Sequence, residues 1–340
     1  MKNIATENEA ILISSPSNLF YFTDMKNPDA YAVFIGNEKY YFTDERYFEE
    51  AASKLAGYAI KSVNELHDFF RSEKIGKLGI EQSSLPHEFC SLLQEDGVQA
   101  FYGIDSRINK LRAIKSPAEI ELIKKAQEIT DKTFEDILPV IREGVSETEL
   151  AGILESLLYV NGADELSFTS IVAFGENSSK PHAERSDKKL TYGSIITLDF
   201  GAKFQNYCSD MTRTIFFGAA SDEQRKMYKH VLTAQEMALS IAYSGISAKE
   251  CDTMARRYFA ENGLDKFFIH TLGHGVGIDI HEYPRLAQNS DTVMEDNMVV
   301  TIEPGLYFEG KFGIRIEDLI IFDKSGIINL TKSPKNIIIL

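Results

Sequence analysis

Ser194-Ile-Ile-Thr-Leu-Asp199-Phe-Gly-Ala-Lys-Phe-Gln-Asn-Tyr-Cys-Ser-Asp210-Met-Thr-Arg-Thr-Ile-Phe-Phe217 is the stretch on which the fold turns. Two apolar runs flank Gly201 to Tyr207, a segment able to turn, so the reading is a pair of antiparallel strands, Ser194 to Phe200 and Cys208 to Phe217. Each strand carries a carboxylate that a plain core would not hold. Asp199 ends the run Ile195 to Leu198, and Asp210 lies inside the second strand. A hairpin of that length brings the two acids together. Like charges held close at the ends of buried strands are costly unless a cation neutralises them or one is protonated.

The same fault recurs downstream. Glu303 ends the run Met298 to Ile302 in a strand predicted over Asn297 to Glu303, and Glu317 interrupts a strand predicted over Ile314 to Phe322. Period-two alternation puts Arg315 and Glu317 on the face opposite Ile314, Ile316 and Asp318. Between the two strand pairs lies His270-Thr-Leu-Gly-His-Gly-Val-Gly-Ile-Asp-Ile-His-Glu-Tyr-Pro284, which holds three of the seven histidines among glycines. One carboxylate at a strand end is commonly a hydrogen-bonded surface residue, but four of them beside a histidine cluster point to a site. An oxygen-rich set with one imidazole fits manganese, cobalt, iron or zinc in a two-metal centre, where bridging carboxylates hold cations about 3.5 Å apart. A metal-free carboxylate pair of the glycosidase kind would use two of the acids and leave the other two and the histidines idle.

Helix starts frame these strands. Ser116 with Pro117 and Glu119, Ser146 with Glu149, Ser221 with Gln224 and Ser247 with Glu250 each read as a capping box. Helix pairs therefore alternate with antiparallel strand pairs twice, which makes the class α+β. The domain boundary is placed just before the first of these helices, giving 1–112 and 113–340. Residues 10 to 60 alternate short apolar runs with turns, including a hairpin at Gly36-Asn37. Helical stretches at Tyr47 to Leu55 and Val63 to Phe70 and a strand at Leu78 to Ile80 complete a smaller α/β domain.

Composition narrows the function classes. With 36 basic against 51 acidic side chains and a formal charge of -15, the surface is a poor match for nucleic acid or an anionic membrane. Cys90, Cys208 and Cys251 lie far apart with no CxxC pair, so neither a disulfide framework nor a thiolate zinc site is expected. The N-terminal MKNIATENEAILISS has no small-residue cleavage site, and no apolar run approaches the roughly 18 residues of a membrane span. A cytoplasmic protein is expected.

With Asp199, Asp210, His274, Glu303 and Glu317 in this order, the chain resembles the creatinase/methionine-aminopeptidase superfamily of pita-bread metallopeptidases. Among these it is most similar to the Xaa-Pro peptidase group, aminopeptidase P and prolidase. The blocks LDFGA, YCSDMTRT, HTLGHGVGIDIHEYP, TIEPGLY and GIRIEDL carry the likeness. It implies a pita-bread catalytic domain preceded by a creatinase-type N-terminal domain. It also implies two divalent ions, manganese first, with cobalt, zinc or iron as alternatives. On the family's pattern Asp199 chelates one ion, Asp210 and Glu317 bridge, and His274 and Glu303 complete the second. Glu303 is then the proton shuttle, His281 helps to hold the oxyanion, His182 lies at the scissile or primed side, and His270 shapes the proline pocket with Phe174 and Tyr283. Arg315 would orient a carboxylate or bind the substrate's own. His67, His87 and His230 lie outside the blocks and are read as structural. The implied substrate is a proline-containing dipeptide or short peptide, and the implied assembly a homodimer. Methionine aminopeptidase activity is the enzymatic alternative, although those enzymes generally lack the N-terminal module. A non-catalytic peptide-binding protein on the same fold is the other, and it would be expected to have lost ligands.

Overall fold

A computed structural model describes residues 4–27 and 29–340; the first three residues of the N-terminal segment read above for a signal lie outside them. The chain separates into two compact units, Met1–Arg112 and Ala113–Leu340.

The first unit runs β1 (Ala10–Ile13), α1 (Pro16–Thr23), β2 (Tyr31–Ile35), β3 (Glu38–Thr43), α2 (Phe48–Lys54), β4 (Ala59–Ser62), α3 (Leu66–Glu73), β5 (Lys77–Ile80), α4 (His87–Glu95), β6 (Ala100–Gly103) and α5 (Asp105–Ala113). Among the described residues its six strands form one mixed sheet in the order β4-β3-β2-β1-β5-β6. Leu12, Val33, Phe42, Leu66, Phe70 and Leu78 close its core. Ile35 pairs with Glu38, so Gly36 and Asn37 form the two-residue turn read from sequence. Gly36 supplies the positive φ of 56° that favours glycine there. The apolar run at Leu19 is helical, because Ser15-Pro16 starts a helix at its first turn.

The second unit opens with α6 (Pro117–Ile137) and α7 (Glu147–Val160). There follow β7 (Glu165–Leu166), β8 (Ile171–Phe174), β9 (Ile195–Phe200), β10 (Ala202–Phe204), β11 (Tyr207–Cys208) and β12 (Met211–Phe216). Then come α8 (Asp222–Ile241), α9 (Ala248–Glu261), β13 (Gly273–Gly275), β14 (Glu282–Leu286), β15 (Val299–Ile302), β16 (Gly305–Phe308), β17 (Phe312–Arg315), β18 (Asp318–Asp323) and β19 (Gly326–Asn329). The serines at 116, 146, 221 and 247 all close capping boxes with the residue three positions on. Helices α6 and α7 bury Phe134, Leu150 and Leu154 against β8, β9 and β12 through Val172, Leu198 and Ile215. In the second half α8 and α9 bury Val231, Ala255 and Phe259 together with Val300, Ile302 and Ile320. The strand order there is β14-β13-β15-β18-β19. Each helix pair thus covers one antiparallel sheet, which is the α+β alternation of the sequence.

Two strands read as continuous are broken. The run Cys208 to Phe217 splits at Ser209-Asp210, and Ile314 to Phe322 splits at Ile316-Glu317. At the first break the Ser209 N–H donates to Ala202 O, and at the second the Glu317 N–H donates to Thr212 O. The Ser209 bond ends the β10–β11 ladder just before β12 takes up pairing with β9, and the Glu317 bond reaches β12 between the end of β17 and the start of β18, so the chain changes ladder at each carboxylate. The strand before Glu303 is also shorter than predicted, Val299–Ile302.

Candidate metal centre

Asp199 and Thr212 are register partners across β9 and β12, and Ile302 pairs with Asp318 across β15 and β18. Those registers, with the two strand breaks, aim Asp199, Asp210, Glu303 and Glu317 into one cavity of 880 Å³. His274 enters from β13. Gly273 makes that entry possible, since a Cβ there would lie 2.0 Å from Thr301 O of the neighbouring strand. Donor atoms of Asp210, His274 and Glu317 all lie within 4.8 Å of one another.

The electrostatics of this cluster are unfavourable by themselves. Burial first, and then the charges of Glu317, Asp199 and Glu303, push the Asp210 carboxyl well above the ordinary range. Burial, with Glu303 and Asp199, does the same to Glu317. Glu303 is pushed up to about 7, chiefly by burial and against the pull of Arg315. His274 is lowered to about 3 by burial and by His281, which leaves a neutral imidazole. Its Nδ1 faces Gly275 O at 3.1 Å and so carries the proton, and its Nε2 lone pair lies 3.3 Å from Glu303 Oε1 and 3.6 Å from Asp210 Oδ2. Acceptors that face acceptors in a buried site need a proton or a cation between them. Four carboxylates and one imidazole are hard and borderline donors that suit a divalent first-row metal, so the residues fit such ions.

A second layer holds these donors in place. Arg315 donates from Nη2 to Asp199 Oδ2 at 2.5 Å and from Nε to Thr212 Oγ1 at 2.9 Å, and Thr212 in turn donates to Glu317 Oε2 at 2.6 Å. One guanidinium thus orients Asp199 directly and Glu317 through a hydroxyl. Its Nη1 donates to Tyr307 OH at 2.7 Å, and that hydroxyl lies 2.9 Å from His270 Nε2. His270 is lowered to about 3 by burial and by Arg315, so its neutral ring accepts from Tyr307 while Nδ1–H donates to Thr271 O at 2.8 Å. Thr301 donates to Glu303 Oε1 at 3.1 Å and accepts from the His274 N–H at 3.1 Å.

Nine residues singled out in the sequence line this cavity: His182, Asp199, Asp210, His270, His274, His281, Glu303, Arg315 and Glu317. His281 is exposed at the mouth, its ring edge-on to His274 at 4.2 Å between centroids. Phe174 and Tyr283 do not belong to it. Phe174 is fully buried, and Tyr283 packs on the core of α8 and α9 while its hydroxyl meets Thr292. Phe168, Ile171 and Ile280 form the apolar wall instead. Thr212, Thr301 and Tyr307 escaped the sequence reading because a threonine or tyrosine in a strand is ordinary.

Comparison with known proteins follows the same lines. Residues 121–324 match metallopeptidase family M24, and residues 5–114 match the creatinase/prolidase N-terminal domain. An Xaa-Pro dipeptidase of Pyrococcus horikoshii is 38% identical over 333 residues, covering 97% of this chain and 94% of that protein. Among solved structures, an Xaa-Pro dipeptidase from Bacillus anthracis superposes with a TM-score of 0.94 at 39% identity, covering 98% of this chain and 95% of the other. An X-Pro aminopeptidase from Thermotoga maritima superposes with a TM-score of 0.90 at 34% identity, covering 98% of each chain.

Proposed function

Because the chain belongs to metallopeptidase family M24, we propose that it is a prolidase-type metallopeptidase that hydrolyses the Xaa-Pro bond of dipeptides or short peptides. The observation that carries this reading is the buried cluster of four carboxylates and a neutral imidazole, acceptor against acceptor, at the base of a cavity with an apolar wall. Asp199, Asp210, His274, Glu303 and Glu317 would hold two divalent ions, with manganese the first to test. Bound there, such ions would supply Lewis acidity to the scissile carbonyl and make an attacking water acidic enough to react near neutrality.

The chain's own groups do the rest. Glu303, at the cavity floor beside His274, takes the proton from the attacking water and returns it to the proline nitrogen. That transfer matters because the bond before proline has a tertiary amide nitrogen, which must be protonated to leave as an amine. His281 reaches the surface at the mouth but is partly desolvated by its neighbours; that desolvation first, and then His182, lower its pKa, and the ring offers an N–H to the developing oxyanion. His182 borders the same opening. His270, kept neutral and locked to Tyr307, presents a ring face against which proline can pack. Arg315 acts on the substrate only through the carboxylates it orients.

The homodimer and the cytoplasmic location remain parts of this reading. Among the described residues no helix is long and apolar enough to cross a membrane. Light scattering of the purified protein tests the dimer. One assay with added manganese, comparing Ala-Pro, Ala-Pro-Ala and Met-Ala-Ser, tests the activity. Turnover of Ala-Pro alone identifies a dipeptidase, turnover of both proline peptides a broader Xaa-Pro peptidase. Preference for Met-Ala-Ser would replace the reading with methionine aminopeptidase, and turnover of none with peptide binding.

A further inference from the structure

Glu147, at the first turn of α7, is fully buried, and its oxygens are met by neutral donors drawn from a single loop. Phe174 N–H donates to Oε1 at 2.7 Å, and Ser186 donates to Oε2 from N–H at 3.0 Å and from Oγ at 2.5 Å. Asn177 Nδ2 reaches both oxygens, at 3.0 and 3.1 Å. The first and last of these donors bracket residues 174–186, and the cavity-lining part of that loop is Pro181, His182, Ala183, Glu184 and Arg185. Further ties hold the stretch between those ends, among them Gly313 N–H to Ser178 Oγ at 2.9 Å, Arg315 Nη1 to Pro181 O at 3.3 Å and Arg185 Nη1 to Glu155 Oε1 at 2.9 Å. A buried carboxylate is expensive unless every lone pair is used. Here the desolvation is offset only while both loop ends converge on it, so the charge selects one loop geometry.

We propose that Glu147 is a positioning residue of the active site: by gathering both ends of the 174–186 loop it fixes where His182 presents its imidazole. The inference rests on the reading of His182 as an active-site residue. Glu147→Gln keeps the shape but replaces one acceptor by an NH₂ that opposes the loop's own donors. Displacing a catalytic group by about 1 Å costs on the order of 10²-fold in rate. Glu147→Gln is therefore expected to lower kcat on Ala-Pro by roughly 10- to 100-fold, with manganese affinity by calorimetry within about twofold of wild type. In a His182→Ala background the same change should cost less than about twofold, because the loop then has no imidazole left to place. Ser186→Ala, which removes one of the donors, should shift kcat in the same direction by a smaller factor, and it carries the test if Glu147→Gln does not fold.

A merely structural role would lower manganese affinity together with kcat and would multiply with the loss from His182→Ala; that result overturns the proposal. Wild-type kcat in both Glu147→Gln and Ser186→Ala overturns it as well. If His182→Ala alone retains wild-type kcat, the reading of His182 fails and takes the inference with it.

Discussion

Asp210 is the residue whose removal separates folding from function most sharply. In the metal-free protein its carboxylate adds to a like-charged buried set, and its raised pKa means that the folded state holds a proton the unfolded chain releases. Asp210→Asn should therefore melt at or above the temperature of chelator-treated wild type, yet lose the manganese-induced rise in Tm and about 10²-fold or more of activity. A variant that melts lower than wild type without metal would contradict the repulsion argument. His270 carries the opposite sign. Its folded pKa of about 3 lies below the ordinary 6.5, so the neutral ring contributes stability that is whole above 6.5 and is lost as pH falls toward 3. At pH 5 the penalty is about 2 kcal/mol. His270→Leu should then lose that much less stability than wild type between pH 7.5 and pH 5 in urea titrations. The four carboxylates that meet in the cavity were legible because a charged group in an apolar run is a visible fault, and His274 because it stands in a histidine cluster among glycines. Tyr307, Thr212 and Thr301 were not, since their role lies in which hydroxyl faces which acceptor, and Phe174 was misplaced because alternation cannot say which side of a strand the cavity takes.

At the scale of elements, the helices were the most readable part, since a capping box is a local chemical arrangement of four residues. The strand breaks at Asp210 and Glu317 were not readable. They depend on a bond from Ser209 to Ala202 and from Glu317 to Thr212, the second spanning much of the unit. Glycine shows the same contrast between local and distant causes. Gly273 has an ordinary φ, and only the approach of Thr301 O, at 2.0 Å from a built Cβ, excludes a side chain. Gly273→Ala should cost about 1–3 kcal/mol, the usual range for forcing atoms into a filled site, and should displace His274 enough to lower manganese affinity. Gly152 in α7 is exposed, with nothing within 4 Å of its built Cβ. There Gly152→Ala should stabilise by about 0.5–1 kcal/mol and leave kcat unchanged. Equal effects at the two positions in denaturant titrations would remove the close-approach argument for β13.

For the molecule as a whole, the relevant fact is that every residue of the candidate site belongs to the second unit, while the first closes its own core around a separate six-stranded sheet. A cation that binds only the folded site stabilises it by mass action, about 4 kcal/mol at a thousand times its Kd. That free energy acts first on the strands that carry or adjoin the candidate donors: β9 holds Asp199 and β13 holds His274, while Asp210 immediately precedes β12, Glu303 immediately follows β15 and Glu317 immediately precedes β18. Like charges left facing one another should open those strands when the metal is withdrawn, because local opening follows local free energy and not the average over the chain. Amide hydrogen exchange read by mass spectrometry, with manganese and then with chelator, should therefore show faster exchange across 195–216, 273–275 and 299–321 and little change across 10–13, 31–43 and 77–80. Equal loss of protection in the first unit's sheet would mean that the two units unfold as one, and the separate cores would then not be separate in energy.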